Sequence, residues 1–164
     1  MGLPDMDLPS MPSTGTRLTY TDGTSRMVYT TDVEVPFPEG RLIVSRTDLA
    51  GVITHANDAF VEMSGYSREE LIGAPHHILR HPDMPKIAFK GLWDDIAAGK
   101  KWHGYVKNLR KDGAYYWVYA TAVPNLRNGV IVGYTSVRRK PSRTRIAGLI
   151  PVYQQWLAEE KAAS

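Results

Sequence analysis

Asn108 stands in the middle of an apolar, strand-patterned run, with Trp102 at the start of the same run. A side-chain amide carries both a donor and an acceptor, so it can read the edge of a flat heteroaromatic ring that alternates the two. Trp102 and Trp93 offer planar surfaces that stack on such a ring. Upstream, Arg80-His81-Pro82-Asp83-Met84-Pro85 places a guanidinium, an imidazole and a carboxylate in a segment whose prolines forbid a continuous helix. An arginine fork suits a pyrophosphate or a ring carbonyl, with Lys86 and Lys107 as weaker partners. Each residue also has a plainer role. Asn108 can bond backbone or water, and both tryptophans can be core. Arg80 can pair with Asp83, His81 can shape the loop, and Asp83 can cap it.

Five histidines (His55, His76, His77, His81, His103) raise metal and haem chemistry. His76 and His77 are adjacent, so on a helix they diverge by about 100° and do not share an ion. With no cysteine and no His-x3-His, a structural zinc site is not expected, and no metal residue is assigned. The missing cysteine also removes disulfides, thiolate nucleophiles and any flavin–cysteinyl adduct. No GxSxG, Walker loop or spaced carboxylate pair is present, so the chain is not expected to be an enzyme.

The 164 residues amount to one ordinary domain with extensions, and their 43% hydrophobic content suffices for a core. Net charge is +3, too weak to argue for nucleic acid. Residues 1–40 carry Arg17 and Arg26 against Asp5, Asp7, Asp22, Asp32, Glu34 and Glu39, so an acidic lead-in precedes a basic domain suited to an anionic ligand. No run of about 18 apolar residues can span a bilayer. No signal peptide is visible.

Residues 1–15 are aperiodic and read as a tail, followed by a hairpin around Asp22-Gly23. Pro36 to Gly40 marks a boundary, giving an extension over 1–40, a domain over 41–141 and a C-terminal helix over 142–164. In the domain, Leu42–Arg46 and Val52–His55 read as strands. Asn57 caps a helix Asp58–Ser64 stopped by Gly65, and Ser67 to Glu70 is a capping box. One turn is expected over His76–His81. Pro85 then opens one helix to about Ala98, with Phe89, Leu92, Trp93 and Ile96 on a stripe. Strands Trp102–Arg110, Ala114–Pro124 and Val130–Arg138 follow, joined at Asp112-Gly113 and Asn128-Gly129. The last helix, Thr144–Ala162, should kink or restart at Pro151.

This order predicts an α+β domain with helices covering one sheet face. Alternation puts Trp102, Gly104, Val106 and Asn108, then Tyr116, Val118, Ala120 and Ala122, then Ile131, Gly133, Thr135 and Val137 on the covered face. Such small residues leave room for something flat, or for direct helix packing. His103, Tyr105, Lys107, Trp117, Tyr119, Tyr134, Ser136 and Arg138 would face outward as a partner surface or a solvated face.

Ile53-Thr-His-Ala-Asn-Asp58, Ser64-Gly-Tyr66, Glu70-Leu71, Arg80-His-Pro-Asp-Met-Pro-Lys86, Val106-Lys-Asn108, Tyr116-Trp-Val118 and Gly133-Tyr134 resemble the PAS domain of the bacterial aerotaxis receptor family. The resemblance runs from about Val44 to Pro141, and the Arg-His-Pro-Asp-Met-Pro run is its most specific part. It implies a PAS fold with a five-stranded antiparallel sheet. It also implies non-covalent FAD whose redox state is signalled, as a homodimer, through a HAMP segment to a chemotaxis histidine kinase. The chain would be the cytoplasmic sensory part of a membrane-anchored receptor, without membrane contact of its own. Carried over by position, it makes Asn57, Arg80, His81, Asp83, Phe89, Trp93, Trp102 and Asn108 the FAD contacts. The lead-in is longer than the family's, and the chain ends before any membrane segment. Two other readings stand beside it: a haem-binding PAS gas sensor, ligated by His76, His77 or His81, and an apo PAS module that only dimerises.

Overall fold

Turn chemistry sets the strand boundaries. Asn128 and Gly129 both take positive φ (52° and 79°), as the tight hairpin between the last two strands requires. Gly113 (φ 90°) and Gly23 (φ 87°) turn the other two hairpins, and the Asp22 carboxylate accepts from the Thr24 N–H at 2.9 Å. The computed structural model describes residues 2–163; Met1 and Ser164, the extremities of the two expected end segments, lie outside them.

The strands are β1 (Thr14–Thr19), β2 (Ser25–Thr30), β3 (Ile43–Thr47), β4 (Ile53–Ala56), β5 (Trp102–Leu109), β6 (Tyr115–Arg127) and β7 (Val130–Arg139). β1 and β2 form a separate hairpin; the others form one antiparallel sheet in the order β4-β3-β7-β6-β5. The helices are α1 (Asp58–Ser64), α2 (Arg68–Leu71), α3 (Leu92–Ala97) and α4 (Arg143–Ala163), with 3-10 turns at His76–Leu79 and Lys86–Phe89. The local signals around α1 and α2 act as expected. Asn57 Oδ1 accepts from Phe60 N at 3.0 Å, Gly65 is left-handed, and Ser67 and Glu70 make the reciprocal capping box. Between sheet and helices lie Ile43, Ile53, Phe60, Leu71, Leu79, Met84, Ile96, Tyr116 and Val118.

Three features differ from the expectations. The single helix over 85–98 is two pieces, because Lys90 is extended and Gly91 takes φ 83°. Of its stripe only Ile96 is buried, and Trp93 is 57% exposed. Second, α4 does not restart at Pro151 but runs through it as one helix. Buried Ile146 before the proline and Tyr153 after it hold both halves, each contributing about 1.5–3 kcal/mol against the hydrogen bond proline forfeits. Third, the register reverses the expected parity of β7. Ala120 pairs with Arg138 and Ala122 with Ser136, so Tyr134, Ser136 and Arg138 share the helix-covered face, while Gly133, Thr135 and Val137 face away. An alternation read from apolar residues cannot anticipate an arginine pointing into the core.

The N-terminal residues are packed rather than trailing. Met6 is buried with Val28 and Leu109, its N–H donates to Met27 O at 2.9 Å, and Asp5 accepts from Met27 N at 2.8 Å. Residues 33–35 then bond Tyr115 alongside β6, in the space beyond the end of β7. The hairpin is fixed by Arg26, 2% exposed, which donates to Tyr20 Oη (2.9 Å) and Ile78 O (2.9 Å). Tyr20 stacks on His77 with centroids 3.8 Å apart.

Candidate functional site

β5 is an edge strand, and the Pro-interrupted segment lies along it. Arg80 and Asn108 form a backbone bridge, and Lys107 N donates to Met84 Sδ at 3.4 Å. Pro82 and Pro85 bar a continuous helix here, and a turn closed by Met84 N donating to His81 O at 3.0 Å holds the segment against the edge. Arg80 lies over the Phe89 ring at 4.9 Å, and Phe89 tilts against Trp102 at 6.3 Å. Buried Asn108 pairs with Tyr116 on the same face. Four of the expected contacts (Arg80, Phe89, Trp102, Asn108) thus meet at the covered face near the sheet edge.

The room that Gly104 leaves is filled by the strand's own Trp102. A Cβ on Gly104 would fall inside the indole, so the ring lies flat across the glycine. Gly104→Ala must drive the indole off the strand or displace the strand. We expect a loss of about 1–3 kcal/mol in urea unfolding with altered tryptophan emission, and an unchanged midpoint would contradict this packing.

His81 and Asp83 form a second group. His81 is 2% exposed and sets its ring edge-on to Tyr115 at 6.2 Å, its Nδ1 accepting from Asp83 N at 3.0 Å. Burial, then Lys107, lowers its pKa to about 4, so it is neutral at pH 7. The Asp83 carboxylate pairs with Lys107 at 2.9 Å, which holds it below its ordinary range despite partial burial. Asn57 and Trp93 lie apart from both groups. The Asn57 side chain is committed to Phe60 N, Val44 N and Leu42 O. Trp93 sits edge-on to Tyr134 at 6.1 Å.

Sequence reasoning missed an inward-facing polar set. Arg138, 1% exposed, donates through Nη2 to Ser45 Oγ (2.7 Å) and His76 Nε2 (2.8 Å), with its guanidinium 4.7 Å over Phe60. Burial lowers its pKa to about 10, so it stays cationic at neutral pH. Burial and then the Arg138 charge lower His76 to about 3. Several buried polar atoms of the helical flank and sheet make no hydrogen bond: Tyr66 Oη, His77 Nε2, Arg80 Nε, His81 Nε2, Tyr116 Oη and Arg138 Nη1. Orphaned donors in a core are costly, and a ligand rich in acceptors satisfies them. The residues present therefore fit a polar group that brings acceptors.

Outside the sheet, α4 covers part of the expected partner face. Tyr153 packs on Trp117 (6.1 Å) and donates to Tyr105 O at 2.8 Å, and Glu160 accepts from Lys86 N at 2.8 Å. The helix thus touches both the sheet and the segment after Pro85. Among the described residues, no helix is long and apolar enough to cross a membrane.

A five-stranded antiparallel sheet with short helices on one face and an edge segment around polar interior groups is a PAS architecture. The family model described as "PAS fold" matches residues 53–138, and the chain belongs to that family. Within it the likeness is to aerotaxis receptors: the chain is 48% identical over 126 residues to the aerotaxis receptor of Escherichia coli K12, covering 77% of this chain and 25% of that protein. It is 28% identical over 102 residues to the nitrogen fixation regulatory protein of Klebsiella pneumoniae, covering 62% of this chain and 21% of that one. The chain thus spans about a quarter of these relatives' length. The light-state structure of the blue-light photoreceptor Aureochrome1 LOV shares the fold, at TM-score 0.58 and 23% identity over 73% of this chain and 91% of that one.

Proposed function

We propose that this chain is the FAD-binding redox-sensing PAS domain of an aerotaxis-type receptor, with residues 41–141 as the sensor, 1–40 as an extension and α4 as the output element. The observation that carries this reading is the 48% identity over 126 residues to an aerotaxis receptor. The orphaned Arg80 Nε and Arg138 Nη1 support a bound group with acceptors. A LOV domain studied with a flavin analogue shares the fold at TM-score 0.56.

Arg80, Phe89, Trp102 and Asn108 would hold the cofactor, with His81 and Asp83 shaping the segment beside it. Asn57 would act through α1, and Trp93 from the rim. FAD supplies the electron-accepting ring; the chain supplies position and exclusion of water. Asn108 presents an amide that can donate or accept as the ring edge changes, and a buried donor or acceptor left unpaired costs about 1–3 kcal/mol. Such a bias moves a two-state element several-fold or more. The segment from Arg80 to Lys86 is that element, and Glu160, which accepts from Lys86 N, carries its position into α4. A homodimer would pass the shift through a HAMP segment to a histidine kinase, with this chain on the cytoplasmic side.

The test is a fluorescence titration of apo-protein with FAD. Wild type should saturate at one FAD per chain. Arg80→Ala and Asn108→Ala should each weaken binding about tenfold, the loss of roughly 1.4 kcal/mol of contact. Unchanged affinity in both would remove the assignment of this face.

A further inference from the structure

The hairpin between β6 and β7 outruns the sheet that holds it. β5 pairs with β6 no further along than Ala122, and β3 pairs with β7 only from Tyr134 onward, so residues 125–133 pair only with each other. At about 3.4 Å per residue, the turn stands roughly 10 Å beyond the last level shared with β3. This tip is apolar and bare: Leu126 is 63% exposed, Val130 64% and Val132 47%. The register sets Leu126 with Ile131 on one face of the ribbon and Val130 with Arg127 on the other, so apolar side chains look out from both faces. The patch continues at the base of the tip. Gly133 abuts Asp48, next to exposed Leu49, and the exposed Trp93 ring reaches Gly51 of the same turn. Lys100 and Lys101 lead into β5 at this end of the sheet, Lys90 precedes α3, and Arg127 lies in the tip. All four are exposed, and none makes an ion pair among the described residues. Of the acids here, Asp48 accepts from the N–H groups of Ala50 and Val52, and Asp94 and Asp95 lie on α3.

We propose that this tip docks on an anionic lipid surface, seating Leu126, Val130 and Val132 at the boundary between headgroups and acyl chains while the four unpaired cations meet the headgroups. An exposed apolar patch marks a contact, and three features make lipid the partner. A protein covers one face of a ribbon, whereas a fluid apolar medium surrounds both. The projection matches the ~5–10 Å depth at which interfacial segments lie. The lysines stand behind the apolar tip, at the level the headgroup phosphates would occupy, where each adds attraction to an anionic leaflet. Arg127 can reach back to that level along its own stem, and an indole such as Trp93 favours the same layer. The contact is peripheral, since among the described residues no helix is long and apolar enough to cross a membrane. It departs from the resemblance, which implies a chain without membrane contact of its own, and it does not depend on the flavin reading.

The experiment is co-sedimentation of the full chain with vesicles of mixed phosphatidylcholine and phosphatidylglycerol, and with vesicles of phosphatidylcholine alone. Wild type should bind the mixed vesicles, and phosphatidylcholine alone several-fold more weakly. Leu126→Ser combined with Val130→Ser should weaken binding about tenfold, with the urea midpoint unchanged because both side chains are already solvated. Lys100→Gln with Lys101→Gln should erase most of the preference for the anionic lipid. The chain has no cysteine, so a single introduced thiol carries a dye at one place. Val130→Cys with an environment-sensitive label should brighten and shift to the blue on the mixed vesicles. The same label at Glu69→Cys should not, because its neighbour Glu70 pairs with Lys111 at the other end of β6. The label decides the matter should the serine variant fail to fold. No binding by wild type overturns the proposal. So does binding that survives both serines, which marks attraction by basic residues alone, and so does an equal dye response at residue 69. Self-association abolished by the serines, without vesicle binding, gives the tip to a protein contact and overturns it as well.

Discussion

Lowering the pH from 7 to 5 is expected to remove about 4 kcal/mol of folding stability, roughly 2 kcal/mol from each of two histidines that the fold keeps neutral. His76 and His81 have folded pKa values of about 3 and about 4 against an ordinary 6.5. The folded state therefore binds fewer protons than the unfolded state throughout the interval between those values. As pH falls below 6.5 the unfolded chain takes up protons that the folded chain refuses, and stability drops by about 1.4 kcal/mol per pH unit per histidine. The refusal has a visible cause. His76 Nε2 accepts from Arg138, so protonating it would set two cations together in the core. His81 is enclosed, with the Lys107 charge acting on it and Nδ1 occupied by Asp83 N. Carboxylates held below their ordinary range, such as Asp83, add their loss only at lower pH, as they titrate. Urea midpoints measured at pH 7, 6 and 5 check this. His76→Asn should flatten about half the slope, and a midpoint constant down to pH 5 would contradict a fold that keeps both rings neutral.

Arg26→Ala should cost about 3 kcal/mol and release the N-terminal hairpin. The Arg26 guanidinium joins Tyr20 on the hairpin to Ile78 O, two residues before Arg80. Truncating it leaves a buried carbonyl and a buried hydroxyl without donors and opens the seam under Tyr20 and His77. Arg26→Lys should recover little, since one ammonium cannot reach diverging acceptors as a planar fork does. Hydrogen exchange would show faster opening in residues 14–30 and in the His76–Leu79 turn together. An effect below about 0.5 kcal/mol, or exchange confined to the hairpin, would show that the hairpin is not fastened to the segment that leads into the site.

The contrast between legible and hidden features follows the range of the interactions that fix them. Asn57 and the Ser67–Glu70 box act over three residues, and Asn128-Gly129 over two, so composition alone located α1, α2 and the last hairpin. Gly91 is as local, yet a glycine inside an apolar stripe reads equally as a tolerated helix residue, and its left-handed φ ends that reading. The parity of β7 was hidden because Arg138 is the buried member of its alternating pair. Nothing along the chain marks an arginine whose partners, Ser45 and His76, lie 93 and 62 residues away. The same holds for Arg26, whose carbonyl acceptor Ile78 is 52 residues on. Of the candidate site, the Arg80–Met84 run and Asn108 were legible by residue type and resemblance. That they meet along the edge of β5 is a tertiary fact, as is the way Trp102 lies down on Gly104.

The central claim is that the covered face of this PAS domain binds a flavin. The most direct measurement is the absorption spectrum of the protein purified with its cofactor, followed by heat release and chromatography of the chromophore. The account predicts the two-band spectrum of an oxidised flavin, near ~370 and ~450 nm, bleached by dithionite, with FAD as the released species. A Soret band or a colourless protein that takes up no added FAD would contradict it.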